Sequence, residues 1–349
     1  MMEANEEDIS SWKQVPFVSV CTPTFNRRPF IKTMLECFNH QTYPKENIEW
    51  IIIDDGTDKI CDMVKNHPNV RYFDYDKKMK LGMKRNLMHL KSKGDIIVYM
   101  DDDDYYPPER IQHAVFKLIT SKTALCGGTS ELYIYFKHIH NMYKFGPYGD
   151  NHATAGTFAF KRELLKQTQY DETACIAEET SFLKNYTIPF VQFDPIKTIL
   201  VFSHMHNTFD KKTLLSDSQA KFVNISNKSV DDFIKNTPNS NEIKKFFLND
   251  IDNLLENYEP GNPENKPDVL KQIADICTTR NKELLLYNNQ QSIMIQQGDS
   301  PPKKMSQEEI GMLLQKQRQM IIQQINIIKG KDIELNILRK KINDITINK

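Results

Sequence analysis

Acidic residues gather where two apolar runs end. Ile51-Ile52-Ile53 is followed by Asp54-Asp55-Gly56, and Ile96-Ile97-Val98-Tyr99-Met100 by Asp101-Asp102-Asp103-Asp104. Consecutive carboxylates repel one another: at ~6 Å in water each pair costs about 0.7 kcal/mol, and more beside a low-dielectric core. A bound cation relieves that cost, and carboxylate oxygens suit hard ions such as Mg²⁺ and Mn²⁺. Such an ion would in turn attract a diphosphate. A plainer explanation stands beside this one. Pro107-Pro108-Glu109 reads as a helix start, and acids ahead of a helix N-terminus satisfy its dipole and free N–H groups. That accounts for one or two aspartates more readily than for a run of four.

The elements that must position these acids read as βαβ units. Residues 17–21 form a short apolar run, then a turn at Thr22-Pro23-Thr24 and a helical stretch over 29–39. Residues 50–53 are the next run; 84–91 look helical and stop near Gly94; 96–100 are the third run. Continuous rather than alternating apolar runs predict strands covered on both faces. Strands alternating with helices predict an α/β fold with a mainly parallel sheet. In such sheets ligands bind at the carboxyl ends of the strands, where both acidic runs fall.

The chain has 349 residues, enough for about two domains. Lys+Arg and Asp+Glu both number 46, a balance that argues against a chain-wide nucleic-acid footprint. No stretch approaches the roughly 18 apolar residues that span a bilayer. Residues 1–14 are polar and acidic, without the apolar core of a signal peptide, and are expected to be a disordered tail. Cys21, Cys37, Cys61, Cys126, Cys175 and Cys277 show no zinc-site spacing. They read as free thiols, and the chain as a cytoplasmic protein. Its Asn/Ile/Lys bias is that of an AT-rich genome, such as those of large DNA viruses.

Composition changes near residues 215 and 300. The expected divisions are 15–215, a helical or irregular region 216–300, and a C-terminal helix 301–349. In the last, Leu314, Ile321, Ile328, Leu335 and Ile342 recur every seven residues, with Leu338 and Ile345 as the second seam position. Gln317, Gln324 and Lys331 weaken the seam, and Gly330 is expected to interrupt the helix. The pattern suits an imperfect coiled coil, hence a homo-oligomer, or an amphipathic helix packing on its own domain.

Four motifs in series carry a family resemblance. Val18-Ser19-Val20-Cys21-Thr22-Pro23-Thr24-Phe25-Asn26-Arg27 resembles the opening strand and turn of family 2 glycosyltransferases, which have the GT-A fold. Ile51-Ile52-Ile53-Asp54-Asp55-Gly56-Thr57-Asp58 resembles their second strand, and Gly82-Met83-Lys84-Arg85-Asn86 the helix start that follows. Lys93-Gly94-Asp95 through Asp104 is similar to their apolar strand ending in an Asp-x-Asp-Asp element. The resemblance spans about residues 15–210.

It implies a Rossmann-like GT-A domain that binds a nucleotide-sugar donor, with Pro23, Thr24 and Phe25 lining the base pocket. Asp54 or Asp55 would bind uracil or ribose, and Lys84 or Arg85 would sit near the donor phosphates. Asp103 would be the leading metal ligand, with Asp101 and Asp102 toward ribose or metal. Gly156 would lie in an acceptor-side loop. Glu179 stands where the family usually carries an aspartate base, and Glu178 precedes it. His204, better spaced from Asn207 than His206, would be a further ligand. The implied activity is metal-dependent (Mn²⁺ or Mg²⁺) transfer of a sugar, with inversion, from a UDP-sugar to a hydroxyl of a glycan, protein or lipid. A degenerate domain serving as a scaffold is one rival. A nucleotidyltransferase is another, disfavoured by the absence of glycine between residues 22 and 28.

Overall fold

A computed structural model describes residues 5–215, 222–290, 294–295, 303–305 and 307–347. In chain order the first strands and helices are β1 (Val18–Thr24), α1 (Arg28–Asn39), β2 (Ile48–Asp54), α2 (Cys61–Val64), β3 (Val70–Asp74), α3 (Leu81–Lys91), β4 (Ile96–Tyr99) and α4 (Arg110–Thr120). There follow β5 (Cys126–Gly128), β6 (Leu132–Phe136), β7 (Asn141–Phe145), β8 (Ala159–Lys161), α5 (Glu179–Phe182), β9 (Phe190–Gln192), β10 (Val201–Ser203) and β11 (Val223–Ile225). The seven-stranded sheet has the order β3-β2-β1-β4-β8-β5-β9. β1 is parallel to β2 and β4, β2 to β3, and β5 to β9, while β8 runs antiparallel between β4 and β5. A second, four-stranded sheet has the order β10-β6-β7-β11. The architecture is the expected mixed α/β fold with a mainly parallel sheet.

The apolar runs are buried on both faces because period-2 alternation feeds two cores. Val18, Val20, Trp50, Ile52, Ile96 and Val98 enter one cluster. Cys21, Ile51, Ile53, Ile97 and Tyr99 enter the other. α1 buries Phe30, Ile31, Met34, Cys37 and Phe38, a stripe at helical spacing. Phe38 stacks on Trp50 with centroids 4.2 Å apart.

Three expectations need correction. Residues 5–14 are ordered: Trp12 is buried beside Tyr43 and Phe116, and Glu6 pairs with His113 and Lys197. One buried indole and one shared carboxylate outweigh the polar composition of the tail. The first compact unit also runs to Asp275, well past the expected boundary at 215, with Ile276–Lys349 as the second. The added part contains α6 (Val230–Phe233), α7 (Pro238–Lys245), a π-helical stretch over Phe246–Asp250 and α8 (Ile251–Glu256). Phe233, Ile243, Phe247 and Leu255 join Phe30, Tyr133 and Phe202 in a third cluster, Phe202 and Phe247 stacking at 4.4 Å. This apolar patch makes the polar-looking region part of the domain.

α9 (Pro267–Gln290) follows, then α10 (Gln307–Ile347). α10 passes through Gly330 unbroken, the third correction; a single glycine costs only about 1 kcal/mol against alanine. Along it Leu314, Ile321, Ile328 and Leu335 are about half exposed or more. The side chains of Leu338, Ile342 and Ile345 lie outside the described set. All six cysteines are free thiols. Among the described residues no helix is long and apolar enough to cross a membrane.

Candidate active site

The carboxyl ends of β1 and β4 open onto a cleft of about 290 Å³. Pro23, Thr24, Phe25, Arg85, Asp101, Asp102 and Asp103 line it, as do Arg27, Lys78, Lys84, Thr208 and Lys266. β4, the central strand, ends at Tyr99, so the acidic run leaves the sheet at that strand's carboxyl end. An isolated bridge between Tyr105 and Leu200 then carries β10 and the residues after it alongside. That bridge is why His204 meets Asp103: His204 Nε2 is 3.4 Å from Asp103 Oδ2. The Asn207 side chain holds the ring, its amide nitrogen 2.8 Å from His204 Nε2 and its oxygen accepting from the His204 backbone N–H at 2.8 Å.

Arginines are threaded through the aspartates. Arg27 lies 3.6 Å from Asp102 Oδ1 and 3.4 Å from Asp103 Oδ2, and donates to the His206 carbonyl at 2.8 Å. Burial alone would raise Asp103, but Arg27 and His204 outweigh it and hold the carboxyl well below the usual carboxylate range. Asp102 is pushed up by burial to about 7. Burial, with Asp103 adding to it, raises Asp104 well above its ordinary value. Oxygens of Asp101, Asp102 and Asp104 are buried without a hydrogen-bond partner.

The expected ligand trio of Asp101, Asp103 and His204 is brought together only in part. Among the described residues no three His, Cys, Asp or Glu side chains form a ready metal cage. Asp101 instead faces Arg85, at 3.9 Å, and Gly156. A Cβ on Gly156 would stand 2.8 Å from Asp101 Oδ2, so only glycine lets this loop approach so closely. Tyr106 ties the two together, accepting from the Asp101 N–H at 2.8 Å and donating to the Gly156 carbonyl at 3.2 Å. The donor set still fits a hard divalent cation. Asp103 and His204 are adjacent, and orphaned carboxylate oxygens lie beside them.

Arg85, like Lys84, lines the cleft. Its Nε donates to Glu178 at 2.7 Å and its guanidinium lies 4.4 Å from the centre of the Tyr99 ring. One of its two terminal guanidinium nitrogens, Nη1, stays buried without a hydrogen-bond partner, and the side chain links Glu178 to Asp101. Glu178 is buried in this ion pair, while Glu179, the first residue of α5, carries no such partner. Burial, and then the neighbouring Glu178, raises Glu179 to about 7.

The two acids ending β2 are already engaged. Asp54 is fully buried, accepting from Gly56 N–H at 2.9 Å, Ile60 N–H at 3.0 Å and the Tyr72 hydroxyl at 2.7 Å. Its carboxylate builds the turn and has no face toward the cleft, which removes the basis for a donor contact. Asp55 accepts from Met79 N–H at 2.6 Å and pairs with Lys84. It bears on the cleft through Met79 and Lys84, both of which line it. Burial, with Arg27 and Lys266 adding to it, lowers His206 to about 4.

Sequence reasoning missed Arg27 as the counter-charge and Lys266 as a cleft residue. The first lay in a quoted motif without an assigned role. The second has no local signature beyond preceding Pro267, which opens α9.

Residues 19–183 match the family model described as Glycosyl transferase family 2. An uncharacterized glycosyltransferase of Haemophilus influenzae is 24% identical over 232 residues, covering 60% of this chain and 84% of that protein. A Methanococcus voltae protein, named dolichyl N-acetyl-alpha-D-glucosaminyl phosphate 3-beta-D-2,3-diacetamido-2,3-dideoxy-beta-D-glucuronosyltransferase, is 36% identical over 72 residues, 19% of this chain and 22% of its own length. Among solved structures, a Pyrobaculum calidifontis mannosyltransferase in complex with GDP-Man and Mn²⁺ aligns with a TM-score of 0.44 and 18% identity, over 54% of this chain and 57% of its own.

Proposed function

We propose that this chain, a transferase carrying a glycosyltransferase family 2 domain over residues 19–183, moves a sugar from a UDP-sugar to an acceptor hydroxyl with inversion. The observation that carries the reading is the pairing of two unlike acid sites. One is an aspartate run with unsatisfied oxygens at a cleft, the other a glutamate raised to about 7.

Phe25 and Pro23 line the part of the cleft suited to a flat base. Asp101 and Asp102 lie where ribose hydroxyls can donate to them. Glu179 takes the proton of the acceptor hydroxyl as the new glycosidic bond forms. Glu178 holds Arg85 against Asp101, and its own charge raises the proton affinity of Glu179. Asp103 and His204 would hold a Mn²⁺ or Mg²⁺ ion, which when bound neutralises charge on the departing nucleoside diphosphate. The acceptor is a glycan, protein or lipid hydroxyl. The exposed seam of α10 supports self-association through a coiled coil, and the free thiols support a reducing, cytoplasmic setting.

The test is a panel of nucleotide sugars with nucleotide release as readout. A UDP-sugar is expected to give UDP only when Mn²⁺ or Mg²⁺ is present, and an α-linked donor to give a β-linked product by NMR. Release undiminished in excess EDTA, or release of pyrophosphate in place of nucleotide, would reject the mechanism. Light scattering on the chain cut after residue 300 tests the oligomer: a full-length chain that is already monomeric ends that part of the reading.

A further inference from the structure

We propose that Lys266, far beyond the family-matched residues, is the cation that grips the donor's diphosphate. The inference rests on the reading above, in which this cleft holds a nucleoside diphosphate.

Lysine ammonium groups surround the Phe25 ring at centroid distances of 5.5 Å (Lys78), 6.0 Å (Lys84) and 5.7 Å (Lys266). Lys84 is neutralised by Asp55 and donates to the Thr24 carbonyl at 3.0 Å. Lys78 is neutralised by Asp268. Lys266 is different. Its Nζ donates to a neutral group, the Thr208 hydroxyl, at 2.8 Å. Among the described residues no carboxylate forms an ion pair with it, although it is only 8% exposed.

A buried ammonium without an anion is expensive to maintain. Burial, with Arg27 adding to it, draws its proton affinity down to about 7, while Asp102 and Asp103 act in the opposite sense. An anion entering the cleft removes the penalty. A diphosphate is such an anion, and lysine serves such groups as a compact point charge. Lys266 also directly precedes the 24-residue helix α9, whose positive end therefore falls at the cleft wall, where Val269 lies.

The segment bearing Lys266 is fixed in place. Asn26 donates to the Pro260 carbonyl at 2.8 Å, and the Tyr258 hydroxyl donates to Asp58 at 2.7 Å. The turn after β1 thus supplies the base-side wall and anchors the opposite, cationic one.

The test is calorimetric titration of UDP, GDP and uridine into the full chain in excess EDTA, so that no metal contributes. Lys266→Met is expected to weaken UDP by about tenfold or more, to leave uridine unchanged, and Lys266→Arg to restore most of the loss. Without nucleotide, Lys266→Met should melt no lower than the parent, because an unpaired buried charge has been removed; its UDP-induced rise in Tm should shrink. UDP binding equal in parent and Lys266→Met overturns the assignment while leaving the proposed function intact. Equal losses for uridine and UDP also overturn it, marking Lys266 as structural. A parent that binds neither UDP nor GDP overturns the assignment and the donor-site reading together.

Discussion

The ends of β2 and β4 are alike in sequence and unlike in structure. Both strands are apolar, both are buried, and both finish in aspartates. At β2, Asp54 satisfies backbone N–H groups and a tyrosine hydroxyl, and Asp55 is neutralised by Lys84. At β4, carboxylate oxygens of Asp101, Asp102 and Asp104 stay buried without a hydrogen bond, and Asp103 shares its charge with Arg27 and His204. The first end is a closed turn and the second an open receptor. What separates them is the number of lone pairs left over after folding, since buried polar groups are otherwise paired.

The sharpest way to break the contrast is at the proposed base, Glu179. Glu179→Gln is expected to lower kcat by about 10²–10⁴ with the protein still folded, as read by steady-state transfer assays and circular dichroism. Asp103→Asn, which keeps the shape of the open end but removes its charge, should lower transfer by about 10²–10³ and abolish the stimulation by Mn²⁺. The corresponding change at the closed end, Asp54→Ala, should act on stability. It strands buried donors and is expected to cost about 3 kcal/mol in urea unfolding, with much smaller effects on kcat in the remaining folded protein. If Asp54→Ala instead spares stability and destroys transfer, the two ends are not distinct.

The smallest expected effect is a pH dependence. Glu179 has a folded-state value of about 7, above its ordinary 4.5. The folded state therefore keeps a proton that the unfolded state releases, and stability falls as pH rises between those values. Glu179→Gln should remove that slope in pH-dependent melts. In the parent, kcat should climb through pH ~7 as the base loses its proton.

The strands, the parallel sheet and the positions of the acidic runs were legible because continuous apolar stretches and strand-end turns are local signals. The site was legible only where a motif is contiguous. Which aspartate would be satisfied was not, because the partners of Asp54 include Tyr72 and those of Asp103 include His204, brought in by β3 and by the Tyr105–Leu200 bridge. Arg85 was placed near the phosphates, but its partner Glu178 lies 93 residues away. The reach of the domain to Asp275 was hidden for a similar reason. Phe233, Phe247 and Leu255 are too sparse in a polar stretch to announce a core, yet they pack on one that already exists.

The bond from Asn26 to Pro260 joins residues 234 positions apart. On a ribosome the turn after β1 emerges early and then waits, because its supports at His206 and Pro260 have yet to be translated. A nascent chain can assemble the sheet and display the aspartates long before it can close a wall around them. A stop codon ahead of residue 260 would therefore leave a polypeptide with the recognisable motifs of the domain and an incomplete cleft wall.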